Sequence, residues 1–299
     1  MKWRTYQKYK DSGVEWLGEI PEHWNLSKLK YVKDPSPNSF VDGPFGSNLK
    51  SVHFIDNGDV FVIESGFATR GILDENNLKT IELNHFESIK RSETSGGDII
   101  IAKIGAHFGL NNILPTLSKP AVVSGNSLKL TINECLYNTK YFHYQLLHLK
   151  NSGAIDLLAN LTAQPALSLG EMNNLSCAVP PLPDQEQQII SSFLDRETTR
   201  IDALIEKKER QIELLKEKRS TLISHAVTKG LDPNVKMKDS GVEWLGEIPE
   251  HWEVLSIKRI TTIPITDGPH ETPELLDDGI PFISAEAIKD NKIDFSKKR

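Results

Sequence analysis

Long apolar runs are missing from this chain: none reaches the roughly 18 residues that a membrane-spanning helix needs. Its first ten residues, MKWRTYQKYK, are basic but carry no apolar stretch of the kind a secretory signal has. Cysteine is scarce. Cys135 and Cys177 match no metal-ligand spacing and are too few for a disulfide framework. They read as buried free thiols of a cytoplasmic protein. Catalytic signatures are missing too. No glycine-lysine phosphate loop occurs, which excludes an encoded ATP-driven motor of that type. No Asn-Pro-Pro-aromatic or Asp-Pro-Pro-aromatic tetrad occurs, so the usual amino-methyltransferase site is not written here. Asp184, Glu206 and Lys208 can be forced into a nuclease-like pattern, but they lie on or beside one long helical stretch and read as a solvated face. His107 and His143 have no partners at ligand spacing, so neither a metal nor a cofactor is expected.

What the chain does have is a sentence repeated. Residues 10–24 read KDSGVEWLGEIPEHW, and residues 238–252 read the same fifteen letters. The offset of 228 residues is far beyond the short periods of solenoids and propellers, so the chain begins a second copy of one large module. Within the segment, Trp16, Ile20, Pro21 and Trp24 read as a packing plug, with a partner-binding hook as the alternative.

Net charge is −6, which weighs mildly against nucleic acid until it is located. Residues 1–184 carry 17 basic and 19 acidic groups, whereas residues 231–299 carry 9 and 14. The acidity is concentrated in the incomplete second copy, from 231 onward, and the first module is close to neutral.

Residues 25–180 read as α/β, or α+β, with many short strands. VFVIESG (60–66) and GDIIIAKIG (97–105) are β-branched runs closed by glycine, and PAVVSGNSLKLTI (120–132) is a strand system with a Ser-Gly-Asn turn inside it. Tyr141, Tyr144, Gln145 and His148 recur at helical steps, and Ser168 stands three residues before Glu171, the spacing of a capping box. The run AVPPLPDQ then forms a hinge.

Beyond the hinge the texture changes. From about 184 to 228 there is neither proline nor glycine, and Ile190, Leu194, Ile201, Leu204, Leu215 and Leu222 fall on one three/four series. Glu197, Lys208, Gln211 and Lys218 interrupt it, which makes a coiled-coil-like stripe rather than a plain zipper. Gly230 and Pro233 end the helix in the expected order. A narrow seam on one long helix needs a partner helix, and a homodimer through these residues is expected.

Together these features resemble the DNA-specificity subunit of type I restriction–modification systems. The resemblance rests on the duplicated segment, on the helical stretch from PLPDQEQQIISSF to SHAVTKG, and on three stretches of the first module. Those are DGPFGSNLK (42–50), GDIIIAKIGAHFG (97–109) and LTAQPALSLGEMNNLSCAVPPLP (161–183). TDGPHETPELLDDGIPFI (266–283) restarts the module after the second repeat. The resemblance implies a repeat segment at 1–24, a target-recognition domain at 25–180 and a hinge with spacer helix at 181–230. A second repeat segment at 231–253 and an incomplete second recognition domain at 254–299 would follow. It also implies a non-catalytic subunit, half-length or truncated, that binds double-stranded DNA and directs modification and restriction subunits to a target. The 254–299 segment, holding strands without their usual neighbours, is expected to be poorly ordered. A helix-mediated assembly protein whose head binds protein, and a non-functional remnant, remain the alternatives.

Within the recognition domain four loop clusters carry chemistry suited to DNA. Glycines let the backbone approach a phosphate, and the small polar or basic neighbours can donate. The clusters are Gly46, Ser47, Asn48 and Lys50; Ser65, Gly66 and Arg70; Lys103, Gly105, His107 and Phe108; and Ser124 with Asn126. Arg70 is expected at a guanine edge and Lys103 on a phosphate.

Overall fold

The computed structural model describes residues 6–44, 46–159, 165–183, 185–268, 282–289 and 292–297. They form two compact units, 1–208 and 209–299.

The first unit opens with a hairpin of β1 (Tyr9–Asp11) and β2 (Glu19–Pro21). After β3 (Asn25–Lys28) and the short α1 (Leu29–Val32) come nine elements, seven strands and two helices, whose strands belong to two four-stranded sheets. These are β4 (Phe40–Asp42), β5 (Val60–Ile63), α2 (Ser65–Arg70), β6 (Lys79–Ile81), α3 (Leu83–Ser88), β7 (Glu93–Thr94), β8 (Ile99–Ala102), β9 (Asn111–Ile113) and β10 (Ala121–Val123). With β11 (Ser127–Leu130) the sheets have the orders β6-β5-β10-β7 and β4-β11-β8-β9. The helices α4 (Thr139–Asn151) and α5 (Leu169–Asn174) follow, and β12 (Ser176–Val179) returns to pair with β3.

Three apolar layers explain why β5, β8 and β10 are unbroken apolar runs rather than alternating ones. Along β8, Ile99 and Ile101 join the largest core with α4, while Ile100 and Ala102 turn to a second core. Phe61, Ile63, Ala121 and Val123 close that second core from the other sheet. Their alternates Val60, Val62 and Val122 face a third core with Phe86 and Ile89. A strand buried on both faces has no polar side to show. The Ser124-Gly125-Asn126 turn therefore carries the chain from one sheet to the other, and does not close a hairpin.

Local rules hold at the helix ends. Asn138 caps α4 by accepting from the Tyr141 amide, and the Ser168 hydroxyl caps α5 by accepting from the Glu171 amide. The long helix α6 (Gln185–Lys229) has 45 residues, about 67 Å at 1.5 Å per residue. Gly230 follows it at φ +80°. Cys177 is buried, and burial pushes its thiol up to about 12, whereas Cys135 is exposed, contrary to expectation.

In the second unit the repeat forms β13 (Met237–Asp239) and β14 (Glu247–Pro249) in the register of the first hairpin, Lys238 facing Ile248 as Lys10 faces Ile20. Of residues 254–299, positions 269–281, 290–291 and 298–299 lie outside the described residues. Among the rest, Ala287 is buried while Ile257, Ile260, Ile263, Ile265 and Phe295 are exposed. Among the described residues no helix is long and apolar enough to cross a membrane.

Candidate nucleic-acid interface

Strand direction brings most of the expected clusters to one edge. β5 and β10 are parallel, and Ile63 pairs with Val123 at their ends. β4 and β8 both run antiparallel to β11, so Asp42 and Ala102 end beside Leu128 and Ser127, where β11 begins. The loops after β4, β5, β8 and β10 thus leave from the same edge. Backbone hydrogen bonds then lock them together: Ser124 N–H to Ile63 at 2.9 Å, Lys103 N–H to Asn126 at 2.8 Å, and Gly43 N–H to Ser127 at 3.1 Å. The loop before α5 joins through Leu167 N–H to the Lys103 carbonyl at 2.9 Å. The fit is tight enough that a Cβ at Gly43 would lie 2.0 Å from the Ser124 carbonyl oxygen.

Several expected residues present polar atoms outward. Asn48, Lys50, His107 and Asn126 are exposed, and Ser124 and Gly105 are half-buried, the latter at φ +94°. Gly46 is exposed at φ +53°; the side chain of Ser47 lies outside the described residues. His85 holds this first loop by a 2.9 Å contact from its Nε2 to the Asn48 carbonyl and by stacking on His53, with centroids 3.9 Å apart. Desolvation, the neighbouring His85 and Lys50 all lower the pKa of His53. The second cluster divides. Ser65 and Gly66 begin α2 at the shared edge, but the helix runs away to β9, where the Asn112 amide donates to the carbonyls of Phe67 and Ala68. Arg70, exposed, ends α2, and its guanidinium folds back along the helix so that Nε donates to the Gly66 carbonyl at 3.4 Å.

Two expectations need correction. Lys103 is not an open cation: its side chain is only 10% exposed, and its ammonium donates to Asp42 Oδ2 at 3.0 Å. Arg91 donates to the other oxygen of Asp42 at 2.7 Å. A half-buried carboxylate at a strand end needs such partners, so Lys103 braces the edge. Phe108, 7% exposed, belongs to the largest core, with the Lys150 ammonium 3.8 Å from its ring centroid. Its ring is committed to packing. Asp42 and Arg91, 49 residues apart, escaped the sequence reading because only the fold makes them neighbours. The aspartate standing first in DGPFG was the available signal.

A second constellation, also missed, fixes the head to the start of α6. Glu186, in the first helical turn, accepts from the Tyr6 hydroxyl at 2.5 Å, from the Trp24 indole at 3.1 Å, and meets His23 Nε2 at 3.1 Å. Burial alone would raise the Glu186 pKa; these three contacts outweigh it and hold the carboxyl below its usual range. The Tyr6 phenol is driven up by burial and by the same glutamate. Ten residues along from the start of the helix, Asp195 takes Lys140 at 2.5 Å and the Tyr144 hydroxyl at 2.8 Å, both from α4. Here too burial opposes and hydrogen bonding lowers the carboxyl pKa. Gln187 accepts from the Asn138 amide at 3.0 Å and is fully buried.

Along α6 the expected seam changes character. Ile190 packs against the head's core and Leu194 is half-buried, so this end of the stripe is already engaged. Ile201, Leu204, Leu215 and Leu222 are exposed, and so are Ile205, Ile212, Leu214 and Ile223, which widens the stripe beyond the six residues foreseen. Among the described residues no group of three His, Cys, Asp or Glu side chains could hold a metal.

Known proteins agree with this geometry. The model of the type I restriction modification DNA specificity domain matches residues 46–214, more than half of the chain. The MjaX specificity subunit of Methanocaldococcus jannaschii, a putative type I restriction enzyme subunit, is 24% identical over 91% of this chain and 61% of its own length. The MjaVIII specificity subunit of the same organism is 26% identical over 82% of this chain and 50% of its own. This chain therefore spans about half to three-fifths of those relatives. A chain from a solved structure concerned with complex assembly and conformational transition of the type I R-M system superposes with a TM-score of 0.56. At 16% identity, over 75% of this chain and 49% of that one, it shows the fold alone. Fold, family match and relatives converge: the chain belongs to the type I restriction modification DNA specificity domain family.

Proposed function

We propose that this protein is a non-catalytic, sequence-specific DNA-recognition subunit of a cytoplasmic type I restriction–modification system. The observation that carries this reading is the convergence of glycine-bearing polar loops from β4, β5, β8 and β10 on one braced edge. Such an edge offers small polar side chains to phosphates, with His107 and Asn126 exposed on its loops and Lys50 exposed farther along the loop after β4. Arg70, at the end of α2, is the side chain assigned to a guanine edge. Relatives named as specificity subunits support the same role. The modification and restriction subunits are the proposed partners, with α6 setting the distance between heads. The exposed stripe from Ile201 to Leu222 is proposed to pair with the same stripe of a second copy.

Selection of binding sites from a random duplex library tests the reading. A defined sequence should emerge, and Arg70→Ala should relax one position of it by ~1–3 kcal/mol of discrimination. Recovery of no sequence above background would refute it. A protein-binding head keeps some support from the net charge of −6 and would give that negative result.

A further inference from the structure

Arg91 belongs to none of the four loop clusters, yet the fold brings it to the same edge. β7 runs antiparallel to β10 with Glu93 opposite Val122, so the single turn before it, Lys90–Ser92, lies where β10 ends. Two contacts tie that turn to the end of β4. The Ser92 hydroxyl donates to the Asp42 carbonyl at 3.1 Å, and Arg91 Nη2 donates to Asp42 Oδ1 at 2.7 Å. Three charged groups meet here, and they are not equivalent. The side chains of Lys103 and Asp42 are 10% and 19% exposed, whereas that of Arg91 is 63% exposed. Lys103, buried beside the carboxylate, already neutralises it. The three groups together therefore carry one surplus positive charge, and it sits on the exposed member.

We propose that Arg91 is a specificity-determining residue that reads a guanine edge in duplex DNA, with Asp42 as its positioning residue. An unrestrained surface arginine gives up rotamer freedom when it binds. Arg91 has one nitrogen held on a carboxylate that Lys103 fixes in turn, so its guanidinium is restrained before any ligand arrives. The guanidinium has five N–H donors, and the bond to Asp42 uses one of them. A phosphate needs only a nearby charge. The O6 and N7 of guanine need two donors in one plane at a fixed orientation, which a braced fork supplies. Asp42 at the end of β4 and Lys103 just after β8 are thus the supports that aim an exposed reader across the loops. The inference rests on the reading of the head as a DNA-recognition module, and adds to it a residue and the base it contacts.

The test is selection of binding sites from a random duplex library by the full chain and its variants. If the unaltered chain selects no sequence, the DNA reading itself fails and takes this inference with it. Where a sequence emerges, Arg91→Lys is the decisive variant, because it keeps the charge and loses the planar fork. It should relax one G·C position by about 5- to 150-fold and leave the salt slope of binding unchanged. Arg91→Ala should relax the same position. Asp42→Asn, which keeps an oxygen acceptor and removes the charge, should relax it as well. Unchanged sequence choice in both Arg91 variants would make the residue a brace alone and overturn the proposal. Arg91→Ala weakening all sequences alike, with Arg91→Lys restoring them, would mark a phosphate contact and overturn it too. So would relaxation at several positions together, the sign of a loosened edge.

Discussion

Fifteen identical residues occur twice in this molecule, and their first tryptophan is half-buried in one place, Trp16, and exposed in the other, Trp244. The backbone is the same in both, down to the Asp-Gly and Ser-Gly contacts inside each hairpin. What differs is the neighbour. The first copy meets the head's core and the start of α6, whereas Trp244 of the second meets solvent. Local sequence therefore determines the hairpin, and burial of its first tryptophan is a property of what packs against it.

That contrast can be broken by substitution. Trp16→Ala removes a ring packed on the main core and should destabilise the first unit by ~2–4 kcal/mol, somewhat below a fully buried aromatic. Trp244→Ala should stay within ~0.5 kcal/mol in the isolated protein, as exposed sites do. Denaturant unfolding of the two variants compares them directly, and equal losses would show that the copies are not differently seated. Glu186→Gln comes next. It weakens three contacts to a charged acceptor at once, and a loss of ~1.5–3 kcal/mol is expected in the same assay. The second copy should be unaffected.

Acid sharpens the comparison further. The carboxyls of Glu186 and Asp195 titrate below their ordinary values in the folded chain. Their contribution is present at neutral pH, and it disappears as pH falls through those depressed values. His143 acts at milder pH. Burial lowers its pKa, with the nearby Asp195 opposing, and its Nδ1 meets Asn111 Oδ1 at 2.8 Å. A neutral buried histidine supports the fold above the ordinary value near ~6.5, and that support weakens as pH drops below it. Thermal melts from pH 8 to 5 should show the first unit losing stability, and His143→Gln should flatten the dependence. A melting temperature constant over that range would contradict the assignment.

The sequence is legible where physics acts locally. Double-faced strands such as 60–63 and 99–102 announce themselves as unbroken β-branched runs, and α6 announces itself by a long stretch without proline or glycine. The duplicated segment needs no physics to find. What stays illegible is pairing across distance. Lys103 looks like a free cation until Asp42, 61 residues earlier, arrives beside it, and Phe108 looks available until the core closes over it. Glu186 and Asp195 disappear into a helix rich in charge, where one carboxylate resembles another until α4 and the hairpin select them. The exposed loops stand out by residue type, yet only the strand directions reveal that the loops after β4, β5, β8 and β10 leave from one edge.

The edge itself gives the most direct measurement. Duplex binding should be followed between about 50 and 200 mM salt for the unaltered chain and for Lys50→Ala, since Lys50 is exposed on the loop that leaves that edge after β4 and Lys103 is already paired. The account predicts that affinity falls steeply and linearly in log–log form, and that Lys50→Ala lowers the slope by about one, as loss of one phosphate contact requires. Binding that ignores salt, or a slope untouched by Lys50→Ala and by loss of the other exposed loop groups, would mean that this edge does not touch DNA.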